Sequence, residues 1–284
     1  MKTRALHPLF VGEILDVDTS SDLSQETVRE IARAIDQFAV VVFRDQQLSV
    51  EGQVKFARYF GPLEVATMRT RSDNTHRTSH DEVVDIANVD ENDRIQAAND
   101  RRRLYNIGNR LWHTDSSFRE VRGALSMLYA RRIPGNGGDT EFADMRAAYD
   151  ALPPDVKRQA DGLWIEHDRT HSRVLLGVTD HTPDEIAAFP PVRHKLVQVH
   201  PTSGRTTLYL GAHAKDVVDW PVPEGRIFLR ELTEAATQRE FVYRHKWRVG
   251  DLVIWDNRCT MHRACTFDGS QVRELTRVTT ADVR

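Results

Sequence analysis

Beyond Asn106 the apolar residues come in short runs closed by turn residues, and this restricts the fold more than any other feature of the chain. Runs of that length suit strands better than helices. They predict strands over 125–130, 163–167, 196–200, 207–210, 241–247 and 252–255. Thr202-Ser203-Gly204 makes a hairpin turn between two of them, and Arg248-Val249-Gly250-Asp251 joins the last two. Helical spacing interrupts the series at 145–152 and 225–238. Many short strands with few helices predict a mainly β sandwich or barrel with flanking helices rather than βαβ units.

The N-terminal part reads differently. Ser24 stands at an N-cap, with Leu23 and Val28 placed for a hydrophobic staple. Val28, Ile31, Ala32, Ile35, Phe38 and Ala39 recur at helical spacing, and a buried strand is expected from Ala39 to Phe43. Ser49 opens a second helix with Val50, Val54, Ala57 and Phe60 on one side, ended by Gly61-Pro62. Two polar stretches without periodicity, 66–80 (with His76 and His80) and 90–103, suit binding loops as well as plain surface. No repeat or linker divides the 284 residues, so a single domain over 1–284 is expected.

Charge and cysteine content narrow the function. The net charge of −3 comes from scattered charges with no concentrated basic face, which argues against a nucleic-acid partner. No stretch nears the roughly 20 apolar residues that span a bilayer, and Met1–Phe10 lacks the apolar run of a signal peptide. The two cysteines, Cys259 and Cys265, are too few for a disulfide framework. A cytoplasmic protein acting on a small molecule is expected.

The chemistry centres on Trp112-His113-Thr114-Asp115. In extended backbone, residues two apart point the same way, so His113 and Asp115 can present an imidazole and a carboxylate to one metal ion. His262, in Thr260-Met261-His262-Arg263, is the best third ligand. Two histidines and one carboxylate on one face leave the opposite positions open for a co-substrate and O2, the pattern of non-haem Fe(II) oxygenases. Arg273, on the next expected strand, can clamp a carboxylate with its planar fork, and Thr140 in Gly137-Gly138-Asp139-Thr140 offers a hydroxyl. A zinc-dependent hydrolase would use the same three ligands but would leave Arg273 without a task. A barrel that binds metal only to sense a small molecule would have no use for the open face.

These motifs resemble the taurine dioxygenase superfamily of 2-oxoglutarate-dependent oxygenases. The likeness extends over nearly the whole chain, through Ala57-Arg58-Tyr59-Phe60-Gly61-Pro62, Leu111-Trp112-His113-Thr114-Asp115, Asp144-Met145-Arg146-Ala147-Ala148-Tyr149 and Gly250-Asp251-Leu252-Val253-Ile254-Trp255-Asp256-Asn257-Arg258. It is strongest to the branch that acts on aryloxyacetates such as 2,4-dichlorophenoxyacetate. The resemblance implies a double-stranded β-helix, or jelly roll, of about eight core strands, and a homo-oligomer. It implies Fe(II) held by His113, Asp115 and His262, with 2-oxoglutarate paired to Arg273 and assisted by Thr140. Arg277 and His213 are implied to face the substrate's acidic group. Trp255 is expected beside the co-substrate, although core packing alone would also explain it. Asp256 and Asn257 are expected to aim His262, His200 to be structural, and Cys259 to be a core residue. A small carboxylic acid is the expected substrate, with a sulfonate or an aryloxypropionate as alternatives.

Overall fold

The structure, a computed structural model, describes residues 1–66 and 77–283. Most of the first polar stretch, His76 included, lies outside the described residues.

Helix α1 (Gln25–Phe38) begins where the Ser24 hydroxyl accepts from the Thr27 N–H. It ends at Ala39, whose φ of 61° breaks the helix while its N–H bonds the Ile35 carbonyl. Ala39 therefore closes the helix instead of opening the strand. Ala34, not Ala32, joins Ile31 and Ile35 in the core. Helix α2 (Val50–Arg58) is capped by Ser49, which accepts from the Gly52 N–H.

The strands are β1 (Thr3–Ala5), β2 (Gly12–Ile14), β3 (Val40–Phe43), β4 (Val83–Ala87), β5 (Gly123–Arg132), β6 (Thr140–Asp144), β7 (Trp164–His167) and β8 (Val192–Lys195). They continue as β9 (Val197–Val199), β10 (Thr206–Leu208), β11 (Ala214–Val217), β12 (Val242–His245), β13 (Leu252–Asp256), β14 (Thr260–Ala264) and β15 (Glu274–Ala281). The large sheet runs β1-β2-β3-β13-β5-β15-β4, and smaller sheets run β12-β6-β14, β11-β7-β8 and β10-β9.

Side-chain alternation explains the layering. Val41 and Phe43 of β3, Ile254 of β13 and Met127 of β5 face one core, shared with α1 and α2. Val40, Val42, Val253, Trp255 and Leu128 point the other way and meet Phe142 of β6. The large sheet is thus buried on both faces, which is why these strands read as unbroken apolar runs.

The expectation of a mainly β chain needs correction: helix and strand take 27% and 28%, a mixed α/β composition. Short helices at Arg101–Asn106, Pro154–Ala160 and Pro183–Ala188 escaped detection, the first in the second polar stretch. So short a helix shows too few turns to reveal a period; local caps hold it, as in the box where Thr182 and Glu185 exchange side-chain and backbone bonds. Strand β6 was missed because its sequence looks polar; Glu141 is paired with Arg263 on the neighbouring strand, and Asp144 with Arg146. Among the described residues no helix is long and apolar enough to cross a membrane.

Candidate metal centre and its two cavities

His113 and His262 are joined by backbone. Each N–H donates to the other's carbonyl, at 3.0 and 2.8 Å, in an isolated antiparallel bridge. The pairing sets the two rings 4.2 Å apart between centroids. Asp115 follows in the turn that leads to β5. His113 Nε2 lies 3.9 Å from Asp115 Oδ1, and His262 Nε2 lies 3.8 Å from Oδ2. All three residues are buried, with one ligand atom of each within 4.8 Å of the others.

Those separations are too long for hydrogen bonds. They suit a shared ion, because two donors about 2.1 Å from one metal are at most about 4.2 Å apart. The protonation states fit as well. His113 Nδ1 lies 2.7 Å from the Leu111 carbonyl, which accepts its proton and leaves the Nε2 lone pair for a metal. Burial lowers both imidazoles below the usual histidine range and keeps them neutral. Burial alone would raise the Asp115 carboxyl, but the Arg277 guanidinium, with the hydrogen bond donated by Ser126, outweighs it and holds it well below the usual carboxylate range.

Asp115 is oriented by a small network. Ser126 Oγ donates to Asp115 Oδ2 at 2.7 Å. Asn257 Nδ2 donates to that same Ser126 Oγ at 2.9 Å. Asn257 Oδ1 accepts from the Asp115 N–H at 3.2 Å and from Trp255 Nε1 at 2.9 Å. Asn257 thus aims the carboxylate, not His262 as the sequence suggested. Asp256 is likewise engaged elsewhere, with His200 at 3.0 Å and Arg258 at 2.6 Å. It forms with His200 and Cys259 a second cluster of potential ligand atoms. Arg258 already neutralises its carboxylate there, and burial pushes the Cys259 thiol up, so the cluster is a closed core network.

A cavity of about 210 Å³ opens on the centre, bordered by His113, His262, Trp255, Thr140, Arg273 and Arg277. Arg273 Nε donates to the Gly138 carbonyl at 3.0 Å, and the Arg273 backbone N–H to Asn88 Oδ1 at 2.8 Å. Gly138 has a φ of +74°, and a Cβ there would be strained and would crowd the Arg273 side chain at 3.1 Å, which favours glycine. Among the described residues no carboxylate pairs with Arg273, and burial pulls it down to about 10. A buried cation without a counter-ion, beside a metal triad, is a seat for an anion. Thr140 Oγ1 accepts from Trp247 Nε1 at 3.0 Å, which leaves its own proton to donate. The Trp255 ring lies 4.6 Å from that of His262, so Trp255 serves both core and cavity wall.

A second, smaller cavity shares His113 and Arg277 with the first and adds Asp115, His213, Phe118, Tyr105, Arg169 and Arg173. His213 stands with its ring 5.0 Å from Phe118, its Nδ1 without a partner among the described residues, and burial, then Arg173, keep it neutral. His200 borders neither cavity. Arg277 borders both, but its Nη1 is already bonded to Asp115 Oδ1. Ser126, Arg169 and Arg173 escaped the sequence reading. Arg169 lies in the turn before the short helix His171–Val174 that contains Arg173, so no helical or strand period in the sequence marks the pair.

Residues 2–279 match the family described as taurine catabolism dioxygenase TauD, TfdA family. An alpha-ketoglutarate-dependent 2,4-dichlorophenoxyacetate dioxygenase of Cupriavidus pinatubonensis is 49% identical over 277 residues, 98% of this chain and 96% of the relative. An (S)-phenoxypropionate/alpha-ketoglutarate-dioxygenase of Sphingobium herbicidovorans is 35% identical over 89% of this chain and 85% of its own. The crystal structure of AAD-2 in complex with Mn(II) and N-oxalylglycine superposes with a TM-score of 0.92 at 43% identity, covering 100% of this chain and 98% of that one.

Proposed function

This chain belongs to the taurine catabolism dioxygenase TauD, TfdA family, and from that premise we propose that it oxidises the carbon next to the ether oxygen of an aryloxyacetate such as 2,4-dichlorophenoxyacetate. It is a 2-oxoglutarate-dependent dioxygenase, and the products are a phenol, glyoxylate, succinate and CO2. The observation that carries the reading is the open His113–Asp115–His262 triad beside the unpaired Arg273. The relative named for 2,4-dichlorophenoxyacetate and the structure holding Mn(II) with N-oxalylglycine support the substrate and the donor set.

His113, Asp115 and His262 would hold Fe(II). Bound there, iron supplies the activation of O2 that couples decarboxylation of 2-oxoglutarate to oxidation of the substrate. Arg273 pairs with the distal carboxylate of 2-oxoglutarate, and the Thr140 hydroxyl donates to it. Trp255 walls that cavity and keeps water from the site. Arg277 holds Asp115 as a carboxylate and, with neutral His213, borders the place of the substrate. Oxidation next to the ether oxygen makes a hemiacetal, which collapses to the phenol and glyoxylate.

The large sheet faces β12-β6-β14 across the core that contains Trp255 and Phe142, which supports reading the pair as a jelly roll in a single domain. The two free cysteines suit a reducing, cytoplasmic compartment. The family resemblance supports a homo-oligomer. The relative named for phenoxypropionate makes an aryloxypropionate the second reading.

The test is a panel of aryloxyacetates, aryloxypropionates and sulfonates, given to protein reconstituted anaerobically with Fe(II) and then mixed with O2 and 2-oxoglutarate. The reading expects the most succinate with an aryloxyacetate, and none with His113→Ala or Asp115→Ala, variants that keep the fold. More succinate with a sulfonate overturns the substrate. Turnover without 2-oxoglutarate overturns the mechanism.

A further inference from the structure

We propose that Arg169 and Arg173 form the site that reads the substrate's acidic group, in the second cavity and apart from Arg273. The inference rests on the reading above that the substrate is an organic acid, and it names the residues that make it so.

Both side chains are nearly enclosed, at 6% and 8% exposure, and both border the cavity that also contains His113, Asp115 and His213. Neither is paired with a carboxylate among the described residues. The Arg169 guanidinium lies 4.7 Å from the Phe189 ring and makes no hydrogen bond to the described residues. Arg173 is seated firmly but only by neutral groups. Its cation stands 4.4 Å from the Tyr105 ring. Its Nη1 donates to Ser172 Oγ at 2.9 Å and its Nη2 to Asn109 Oδ1 at 3.2 Å, while its buried Nε has no partner among the described residues. Gly108 makes room for it, since a Cβ there would come within 2.4 Å of the guanidinium.

Two enclosed like charges, with no counter-ion, repel one another and lose their hydration. The cavity's own carboxyls do not offset them. Asp115 is taken by Arg277, Glu82 by Arg58, and Glu64 by Ser116. Burial raises Glu64 to about 7, which weakens it further as a counter-ion. An arriving carboxylate or sulfonate supplies what is missing, and guanidinium forks bind such planar or trigonal oxygens bidentately. Neutral His213 can add a donor without adding charge. Phe118 and Tyr105 offer apolar surface for the ring of an aryl acid. An acid held here shares its cavity with two of the three metal ligands.

The experiment measures binding by calorimetry to the anaerobic Fe(II) protein saturated with 2-oxoglutarate. Wild type, Arg173→Gln and Arg169→Gln are each titrated with 2,4-dichlorophenoxyacetate, its uncharged amide, an aryloxypropionate and an alkyl sulfonate. 2-Oxoglutarate affinity is measured alongside. The expected result is at least tenfold weaker binding of the acid in each variant, with the preference of acid over amide lost and 2-oxoglutarate affinity unchanged. Should Arg173→Gln fail to fold, Arg169→Gln alone decides. Acid binding within twofold of wild type overturns the inference, and so does an equal loss for acid and amide. If wild type binds the sulfonate or propionate in place of the aryloxyacetate and the variants lose that binding, the anion site stands and the aryloxyacetate reading falls. If wild type binds no acid, both fall.

Discussion

Asn257 shows how much the candidate metal centre would depend on a residue outside its three proposed ligands. Its side-chain oxygen holds the Asp115 N–H and the Trp255 indole, and its side-chain nitrogen braces the serine that braces Asp115. Replacing it with alanine strands buried donors, at a cost of about 1–3 kcal/mol, and loosens the carboxylate. Asn257→Ala is therefore expected to bind Fe(II) roughly 10–100-fold more weakly, as such supporting partners generally do. Competition with a chelator measures this, and wild-type affinity in the variant would remove Asn257 from the centre. Arg277 teaches a related lesson. The two-residue period of a strand put it on the same face as Arg273, and both do border the first cavity. Only the fold revealed that Asp115 takes its charge.

At the scale of the element, the sheet β11-β7-β8 carries a weakness to acid. His167 ends β7 with both ring nitrogens buried and without a partner among the described residues, packed 5.4 Å from the rings of His194 and Tyr209. Burial first, then His194 and Arg122, lower it from 6.5 to about 3. A histidine depressed in the fold binds fewer protons folded than unfolded between those values, so stability is intact above pH 6.5 and lost as pH falls toward 3. At pH 5 the loss is roughly 2 kcal/mol. His167→Phe keeps the shape and removes the proton, so its stability relative to wild type should rise between pH 8 and pH 5. Denaturant midpoints at both values decide, and an unchanged difference would mean that His167 is not buried neutral. The short elements also mark where sequence reading ends. Helices α1 and α2 are legible from Ser24, Ser49 and their apolar spacing, whereas β6 is not, because Arg263 satisfies Glu141 from 122 residues away and Arg146 pairs with Asp144 just past the strand's end.

At the scale of the molecule, the centre ties the N-terminal side of β5 to β14 and β15, so occupying it stabilises the whole. A ligand at a hundred times its Kd adds about 2.7 kcal/mol, a rise in Tm of roughly 5–10 °C for a chain of this size. Fe(II) should raise the Tm of the wild type and leave that of His262→Ala unmoved; an equal rise in both would place the metal elsewhere. What the sequence determined by itself was local. Trp112-His113-Thr114-Asp115 presents two candidate ligands because neighbouring residues are fixed by the backbone, and the short apolar runs specify strands because their length suits a strand buried on both faces better than a helix. Tertiary structure decided which distant groups share a cavity. The His113–His262 bridge, the capture of Arg277 by Asp115 and the placement of Arg169 and Arg173 beside His113 and Asp115 all depend on long-range pairing. Charge compensation in a buried site is set by whatever the fold brings within a few ångströms, and separation along the chain carries no record of it.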